Sequence, residues 1–455
     1  MTTTPASSTL DPRTASALNA LGLQSLTPMQ MQALEAGRHD KRDLVLLAPT
    51  GTGKTLAFLL PLLESLQPTA EAPHVQALVV APSRELALQI DEVFRRMKTP
   101  WTACCCYGGH ATSQEKQRLL TTQPALVIGT PGRLLDHLER GNLKVDHLHT
   151  FVIDEFDKAL ELGFHEQMAR LMELLPPDVR RVLVSATEAE EIPLFVNLGH
   201  CHRLNHLAPT ANETSASARL QLMQVVSPEK DKADTLYRLL CSLGEGRSMV
   251  FCNHRESVDR LHRLLAERGF PTERFHGGME QPQRERALYK FRHGSSPVLL
   301  STDLAARGLD IPGVEHIIHY HLPTTHEAYT HRNGRTARWQ ATGTSYILRH
   351  ADEPLPPYID THLPTHRLPD TPTHPPRPEW TTLYIGRGKK EKLSRGDIAG
   401  FIHKKGGLER EDVGAIDLYD HHAFVTVRRN RVKQLLTRVQ GEKIKGMKTL
   451  VQEAL

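Results

Sequence analysis

Short apolar runs separated by stretches of helical spacing recur through the first three quarters of the chain. Leu44 to Leu47, Ala77 to Val80, Ala125 to Ile128, Phe151 to Ile153 and Val182 to Val184 are apolar throughout, and the adjacent cysteines Cys104 to Cys106 read as one more buried run. Strands with no polar alternation need cover on both faces, which predicts a mainly parallel sheet flanked by helices. A polar stretch, Pro209 to Ala218, breaks the pattern and reads as a linker. The alternation then resumes with Ser248 to Cys252, Val298 to Ser301, His316 to His319 and Thr344 to Leu348. Nine prolines among the 29 residues 351–379 predict an extended, semi-stiff connector without a packed core. After it, Leu383 to Ile385, a helix near Arg395 to Lys404, Ala415 to Leu418, Ala423 to Val427, a helix near Val432 to Val439 and Thr449 to Val451 give β-α-β-β-α-β.

The expected fold is therefore α/β, two doubly wound parallel-sheet domains followed by a small α+β domain. The boundaries read as 1–208, a linker 209–218, 219–350, a proline-rich linker 351–379, and 380–455. A length of 455 residues suits about three domains, each able to bury its own core. The formal charge of +4 hides an asymmetry. Trp380 to Leu455 holds 16 Lys/Arg against 9 Asp/Glu, net +7, whereas residues 1–379 hold 40 against 43, net −3. A basic tail on a near-neutral body suits a polyanionic partner.

Six cysteines show neither zinc spacing nor a disulfide framework, so a reducing, cytoplasmic setting is expected. No run approaches the roughly 18 apolar residues of a membrane span, and the N-terminus lacks a basic-then-apolar signal. Among 26 histidines, His326 and His331 bracket a helix-like stretch, but they stand five apart where one helical face needs four.

Between an apolar strand and an apolar helix start lies Ala48-Pro49-Thr50-Gly51-Thr52-Gly53-Lys54-Thr55. Such a turn aims successive N–H groups and a helix N-terminus at one small volume suited to phosphate oxygens. Lys54 adds a positive charge, and the Thr55 hydroxyl can ligate Mg²⁺. Downstream, Asp154-Glu155-Phe156-Asp157 follows the strand Phe151 to Ile153. Asp154 can hold Mg²⁺, largely through water, and Glu155 can orient and deprotonate an attacking water, which is most of what phosphoryl transfer asks of a protein.

With these motifs in place the chain resembles the DEAD-box RNA helicases, over about residues 10 to 350. Thr27-Pro-Met-Gln30 resembles the Q motif, which implies that Gln30 reads the adenine edge and selects ATP. Pro82-Ser-Arg84 through Ala87, Gly108-Gly109 and Thr130-Pro-Gly-Arg133 resemble the RNA-backbone motifs of the first domain, so Arg84, Gly109, Thr130 and Arg133 are implied RNA contacts. Ser185-Ala-Thr187 resembles the segment coupling hydrolysis to strand separation, together with Asp157 and His331. Val250 to Asn253, Gln281/Arg284 and Ser301-Thr-Asp303 through Arg307-Gly-Leu-Asp310 match later motifs, implying that Thr302 touches RNA and Asp310 the ATP ribose. His331-Arg-Asn-Gly-Arg-Thr-Ala-Arg338 is similar to the last motif, which makes Arg335 and Arg338 the implied arginine fingers.

The resemblance implies two RecA-like domains, ATP and Mg²⁺ as cofactors, cooperative binding of ATP and RNA, and local duplex melting. This chain also departs from the family. Phe156 stands where the family has Ala, and Asn333 where it has an apolar residue; Trp339-Gln340 replaces a small pair, and His276-Gly-Gly278 lacks an acidic residue often found there.

The tail resembles the RNA-binding domain of the DbpA-like subfamily, most clearly in Tyr384-Ile-Gly-Arg-Gly-Lys-Lys and Gly441-Glu-Lys-Ile-Lys-Gly446. That likeness implies a large-subunit (23S) ribosomal RNA hairpin as target, pre-50S particles as partners, a role in large-subunit assembly, and a monomer. Arg387, Lys389, Lys390, Arg428, Arg429, Lys443 and Lys445 cluster near strand ends and can contact phosphates. Tyr384 or Phe424 can stack on bases, with a place in the core as the alternative. The rival functional reading is a non-hydrolysing RNA clamp of the same fold; a DNA-unwinding enzyme comes third.

Overall fold

The computed structural model describes residues 10–39, 42–68, 74–109, 111–161, 163–187, 192–207, 220–305, 311, 313–336, 342–369 and 374–454. Two compact units divide near residue 217, and the linker expected at 209–218 lies outside the described residues.

In the first unit, among the described residues, seven strands form one parallel sheet: β1 (Asp43–Leu47), β2 (Ala77–Val80), β3 (Ala103–Cys106), β4 (Leu126–Gly129), β5 (Thr150–Asp154), β6 (Arg180–Ser185) and β7 (Cys201–Asn205). Their order is β3-β4-β2-β5-β6-β1-β7. Strand periodicity explains the unbroken apolar runs. Leu44 and Leu46 enter the core on one face, with Phe58 and Leu62 of the helix Lys54–Ser65. Val45 and Leu47 enter the core on the other, with Met168 and Leu171. The Phe156 ring, 2% exposed, lies in that second core beside Val80, Ile153 and Leu183. The aromatic departure from the family is thus absorbed as packing.

The second unit repeats the plan with β8 (Leu220–Ser227), β9 (Ser248–Phe251), β10 (Thr272–Phe275), β11 (Val298–Ser301), β12 (His316–His319) and β13 (Gly343–His350), all parallel, in the order β10-β11-β9-β12-β13-β8. The proline-rich stretch that follows turns at Glu353 N–H to His350 O, 3.0 Å, and at Ile359 N–H to Pro356 O, 2.9 Å, and, against the expectation of no packed core, it packs onto the domain. Ile359 and Leu363 are buried with Tyr329 and Ile347, and His366 N–H donates to Gln224 O at 2.8 Å while Gln224 N–H donates to Pro364 O at 2.9 Å. Prolines that cannot continue a sheet leave the intervening Ile, Leu and Tyr side chains free to strap the connector onto the domain.

The small domain has β14 (Trp380–Ile385), β15 (Val413–Leu418), β16 (Ala423–Arg428), a hairpin of β17 (Lys443–Ile444) and β18 (Met447–Lys448), and β19 (Val451–Glu453). Its antiparallel sheet runs β15-β16-β14-β19. Leu383, Ile385, Val425 and Val427 face a core with the helices Arg395–Lys404 and Val432–Val439. The alternate residues face the neighbouring parallel-sheet domain. There Tyr289, 1% exposed, packs with Phe424, and its hydroxyl donates to Ala415 O at 2.5 Å and lies 2.9 Å from Thr426 Oγ1. Ser295 and Thr382 hydroxyls meet at 2.7 Å. Phe424 is therefore a docking residue, which removes it as a stacking platform for bases; Tyr384 is half-buried and stacked on His422.

Candidate nucleotide and RNA sites

The order β5-β6-β1 decides what meets at the carboxyl end of the first sheet. Leu47 is in register with Ser185 and Asp154 with Val184, so the phosphate loop, Asp154-Glu155 and Ser185-Ala-Thr187 leave three adjacent strands. Ala48 N–H donates to Ser185 O at 3.0 Å, locking the loop's first residue to the coupling segment. Gly53 caps the helix Lys54–Ser65 at φ +89°, and a Cβ there would stand 2.4 Å from Gln30 Nε2; only glycine permits both. Pro49, Thr50, Gly51 and Thr52 complete the turn, braced by Thr52 Oγ1 donating to Pro49 O at 2.8 Å.

Lys54 is buried and its ammonium donates to Ala48 O at 2.6 Å and Pro49 O at 3.1 Å. Gln30 donates through Nε2 to Gly53 O at 3.2 Å and accepts from Thr27 N–H at 2.9 Å through Oε1. The glutamine is thereby tied to the phosphate loop itself.

Asp154 is 3% exposed and accepts from Glu155 N–H at 3.0 Å. Burial, then the adjacent Glu155 carboxylate, push it up to about 7 against the lowering pull of Lys54. Glu155 sits at φ +48°, left-handed backbone that a glutamate rarely takes, a strain of the kind held at functional positions. Asp157 accepts from Thr187 Oγ1 at 2.6 Å, and Ser185 Oγ donates to Thr187 O at 2.6 Å. The acidic motif and the coupling segment are thus one hydrogen-bonded unit. Buried carboxylate oxygens beside an N–H-lined cradle that would hold phosphate oxygens fit a small hard cation such as Mg²⁺. A divalent charge would favour ionised Asp154.

The implied RNA-backbone residues leave the neighbouring strands β2, β3 and β4. Arg84 begins a helix capped by Ser83 and lies against Gly109, whose φ of +104° suits glycine and where a Cβ would meet Arg84 Nη1 at 2.4 Å. Thr130 precedes the helix Pro131–Glu139, which carries Arg133. Glu115 was not singled out by the sequence, being an ordinary polar residue in a polar helix. It is fully buried, accepting from Tyr107 N–H at 2.8 Å, Arg133 Nη1 at 2.8 Å and His137 Nε2 at 2.8 Å. Cys106, Glu115 and His137 bring ligand atoms within 4.8 Å of one another. The Arg133 guanidinium on the carboxylate, and Asn142 Nδ2 at 3.3 Å from His137 Nδ1, make this an ion-pair network rather than a metal site.

In the second unit Arg332, fully buried, donates to Asp303 at 2.5 and 3.1 Å, Asn253 Oδ1 at 2.8 Å and His321 O at 2.8 Å. One guanidinium joins three of the motifs read from sequence, with Thr302 half-buried next to Asp303. His331 and Arg335 are buried. Asp310 and Arg338 lie outside the described residues. In the small domain Lys389, Lys390, Lys443 and Lys445 are exposed and Arg387 is half-buried. Arg428 lies 4.5 Å over the Trp380 ring, and Arg429 donates to Pro378 O at 2.7 Å and Trp380 O at 3.0 Å. These two arginines secure the connector's end to the domain.

The DEAD/DEAH box helicase family matches residues 27–194, the helicase conserved C-terminal domain residues 231–340, and the DbpA RNA binding domain residues 382–453. The chain is similar to ATP-dependent RNA helicase DbpA of Escherichia coli (strain K12), 34% identical over 449 residues and 96% of each chain. It is 37% identical over 329 residues to the DEAD-box ATP-dependent RNA helicase CshA of Bacillus subtilis (strain 168), covering 72% of this chain and 65% of CshA, so it spans slightly under two thirds of that relative. Among solved structures it resembles S. cerevisiae Dbp5 bound to RNA and ADP BeF3, with TM-score 0.66, 30% identity, and 76% and 88% of the two chains covered. Mss116p bound to ssRNA and AMP-PNP gives TM-score 0.68 at 26% identity, with 75% and 73% covered. Both parallel-sheet domains and the small antiparallel one are matched in chain order, and this chain belongs to the DEAD-box ATP-dependent RNA helicases, in their DbpA-like branch.

Proposed function

We propose that the protein is an RNA-dependent ATPase that melts short RNA duplexes, directed by residues 380–455 to a large-subunit ribosomal RNA hairpin during assembly of that subunit. The observation that carries the reading is the convergence of the phosphate loop, Asp154-Glu155 and Ser185-Ala-Thr187 at three neighbouring strand ends. The match to DbpA over 96% of both chains supports the choice of target. We take 1–208, 219–350 and 380–455 as the working domains.

In this reading the backbone N–H groups of Thr50 to Thr55 and the Lys54 ammonium bind the ATP phosphates, and Gln30 the adenine. Thr55 and Asp154 would hold Mg²⁺, which supplies charge neutralisation at the phosphates. Glu155 orients the attacking water and takes its proton. Arg335 and Arg338 stabilise the charge that develops on the transferred phosphoryl group. Arg84, Gly109, Thr130, Arg133 and Thr302 hold the RNA backbone, and the Asp157–Thr187 bond relays the nucleotide state to them. Asp310 contacts the ribose.

The test is phosphate release with and without ribosomal RNA fragments. RNA-stimulated release is the expected result; binding of ATP and RNA with no release above background would establish the clamp instead, and equal stimulation by DNA would remove RNA as the specific partner.

A further inference from the structure

The last motif departs from its family at Asn333, and the structure shows what that departure is matched to. Asn333 ends the helix His326–Asn333 with 7% of its surface exposed. Its Oδ1 accepts from Ser345 Oγ at 2.7 Å and lies 3.1 Å from His319 Nε2. Both partners are fully buried, His319 on β12 and Ser345 on the adjacent β13. A buried carboxamide is costly unless partnered, and so are a buried imidazole N–H and hydroxyl. His319 Nε2 and Ser345 Oγ also lie 3.2 Å apart, so an apolar residue at 333 would take away the oxygen both bond and leave them only each other; the three residues form a set.

The backbone beyond Asn333 carries Arg335. Arg335 N–H donates to Arg332 O at 3.2 Å and Thr336 N–H to Asn333 O at 3.1 Å, while Thr336 Oγ1 donates to Val314 O at 2.6 Å. The turn is therefore pinned on one side to β12 and β13 through Asn333 and on the other to Val314 through Thr336.

We propose that Asn333, with His319 and Ser345, is a positioning element for Arg335, setting turnover rather than ligand affinity. This rests on reading Arg335 as the residue that stabilises the transition state. A guanidinium acting on charge developed only in the transition state loses its effect with a small displacement, whereas ground-state binding does not.

The experiment is steady-state ATPase kinetics with saturating RNA on the full chain, comparing Asn333→Ala, Arg335→Ala, the double variant and Ser345→Ala, with thermal melts to verify folding. Asn333→Ala is expected to lower kcat about tenfold or more while the KM values for ATP and RNA stay within about twofold. The double variant should be no slower than Arg335→Ala alone, because the positioned group is already gone. Asn333→Asp, which keeps the acceptor oxygen, should restore part of the rate. If Arg335→Ala slows turnover but Asn333→Ala does not, or if the two losses multiply, the positioning role is overturned and the finger reading stands. If Arg335→Ala leaves turnover intact, the finger reading falls and the positioning role with it. Should Asn333→Ala fail to fold, Ser345→Ala carries the same expectations, with a smaller loss because one of the oxygen's partners remains.

Discussion

Glu115 allows the sharpest structural test of how the RNA-contacting segments are built. Its carboxylate, fully buried, joins Tyr107 N–H beside Gly108-Gly109, the Arg133 guanidinium, and His137 Nε2, each at 2.8 Å. Glu115→Ala takes from the Arg133 side chain, 12% exposed, the carboxylate it bonds at 2.8 Å, and also strands a buried imidazole N–H. Removing one partner of a buried ion pair costs about 3–5 kcal/mol. For a domain of this size that corresponds to a fall in Tm on the order of 10 °C. Glu115→Gln loses the charge and keeps one acceptor oxygen, setting its NH2 donor against either Tyr107 N–H or the Arg133 and His137 donors, so about 1–3 kcal/mol is expected. The functional consequence is separable from the stability loss. At a temperature where both variants are folded, the KM for RNA should rise several-fold, because Arg133 is no longer held, while ATP binding without RNA is unchanged. Urea unfolding and ATPase titrations with single-stranded RNA read the two effects. A Glu115→Ala variant within about 0.5 kcal/mol of the parent, or one whose RNA titration is unaltered, would refute the argument that this network aims Arg133.

Three further outcomes follow from the geometry. Lys54→Ala should abolish ATP binding in a fluorescent-nucleotide titration, since the cradle loses its only side-chain ammonium; retained binding would remove the phosphate-loop assignment. Glu155→Gln should keep ATP and RNA binding and stop phosphate release, and normal turnover would exclude Glu155 as the water-activating residue. His319 is held at about 3 by burial, followed by the nearby Arg332 charge. Its folded value lies below the unfolded one, so the unfolded chain takes up the proton first and stability falls as pH drops below about 6.5. One such histidine contributes about 2 kcal/mol of loss between pH 7 and 5, and His319→Asn should flatten that part of a stability–pH curve.

Strands buried on both faces were legible because β1, β2 and β11 carry unbroken apolar runs, Leu44 to Leu47, Ala77 to Val80 and Val298 to Leu300, which no half-exposed element needs. β7 was not: four of its five residues are exposed or half-exposed, and only Leu204 is buried, as befits an edge strand whose identity comes from pairing with β1. The same holds for β8, an edge of the second sheet, with two of its eight residues buried; β10, the other edge, is largely buried but reads Thr-Glu-Arg-Phe, with two charged residues and no apolar run. The phosphate loop and the acidic motif could be found because their chemistry is local in sequence. Glu115, Arg332 and His319 could not be assigned roles, since each acts through partners 8 to 79 residues away that only the fold brings near. Phe424 is a case the sequence left open between stacking and burial, and its packing against Tyr289 selects burial. A strand aromatic on an uncovered sheet face looks available to a base, until Tyr289 of the neighbouring domain is found on it.

In the proposed reading, residues 380–455 direct the RNA-dependent ATPase to one RNA. Deleting the tail would strip the cover from Tyr289, so substitution at exposed positions is the cleaner perturbation. The decisive measurement is RNA-stimulated phosphate release by the intact chain and by a Lys389→Glu, Lys443→Glu variant. Each is titrated with the large-subunit ribosomal hairpin and with an unrelated hairpin of equal length. Strong stimulation of the intact chain by the ribosomal hairpin is expected at concentrations where the unrelated one is silent, with that preference lost in the variant. Equal stimulation by both hairpins, or a preference untouched by the two substitutions, would contradict it.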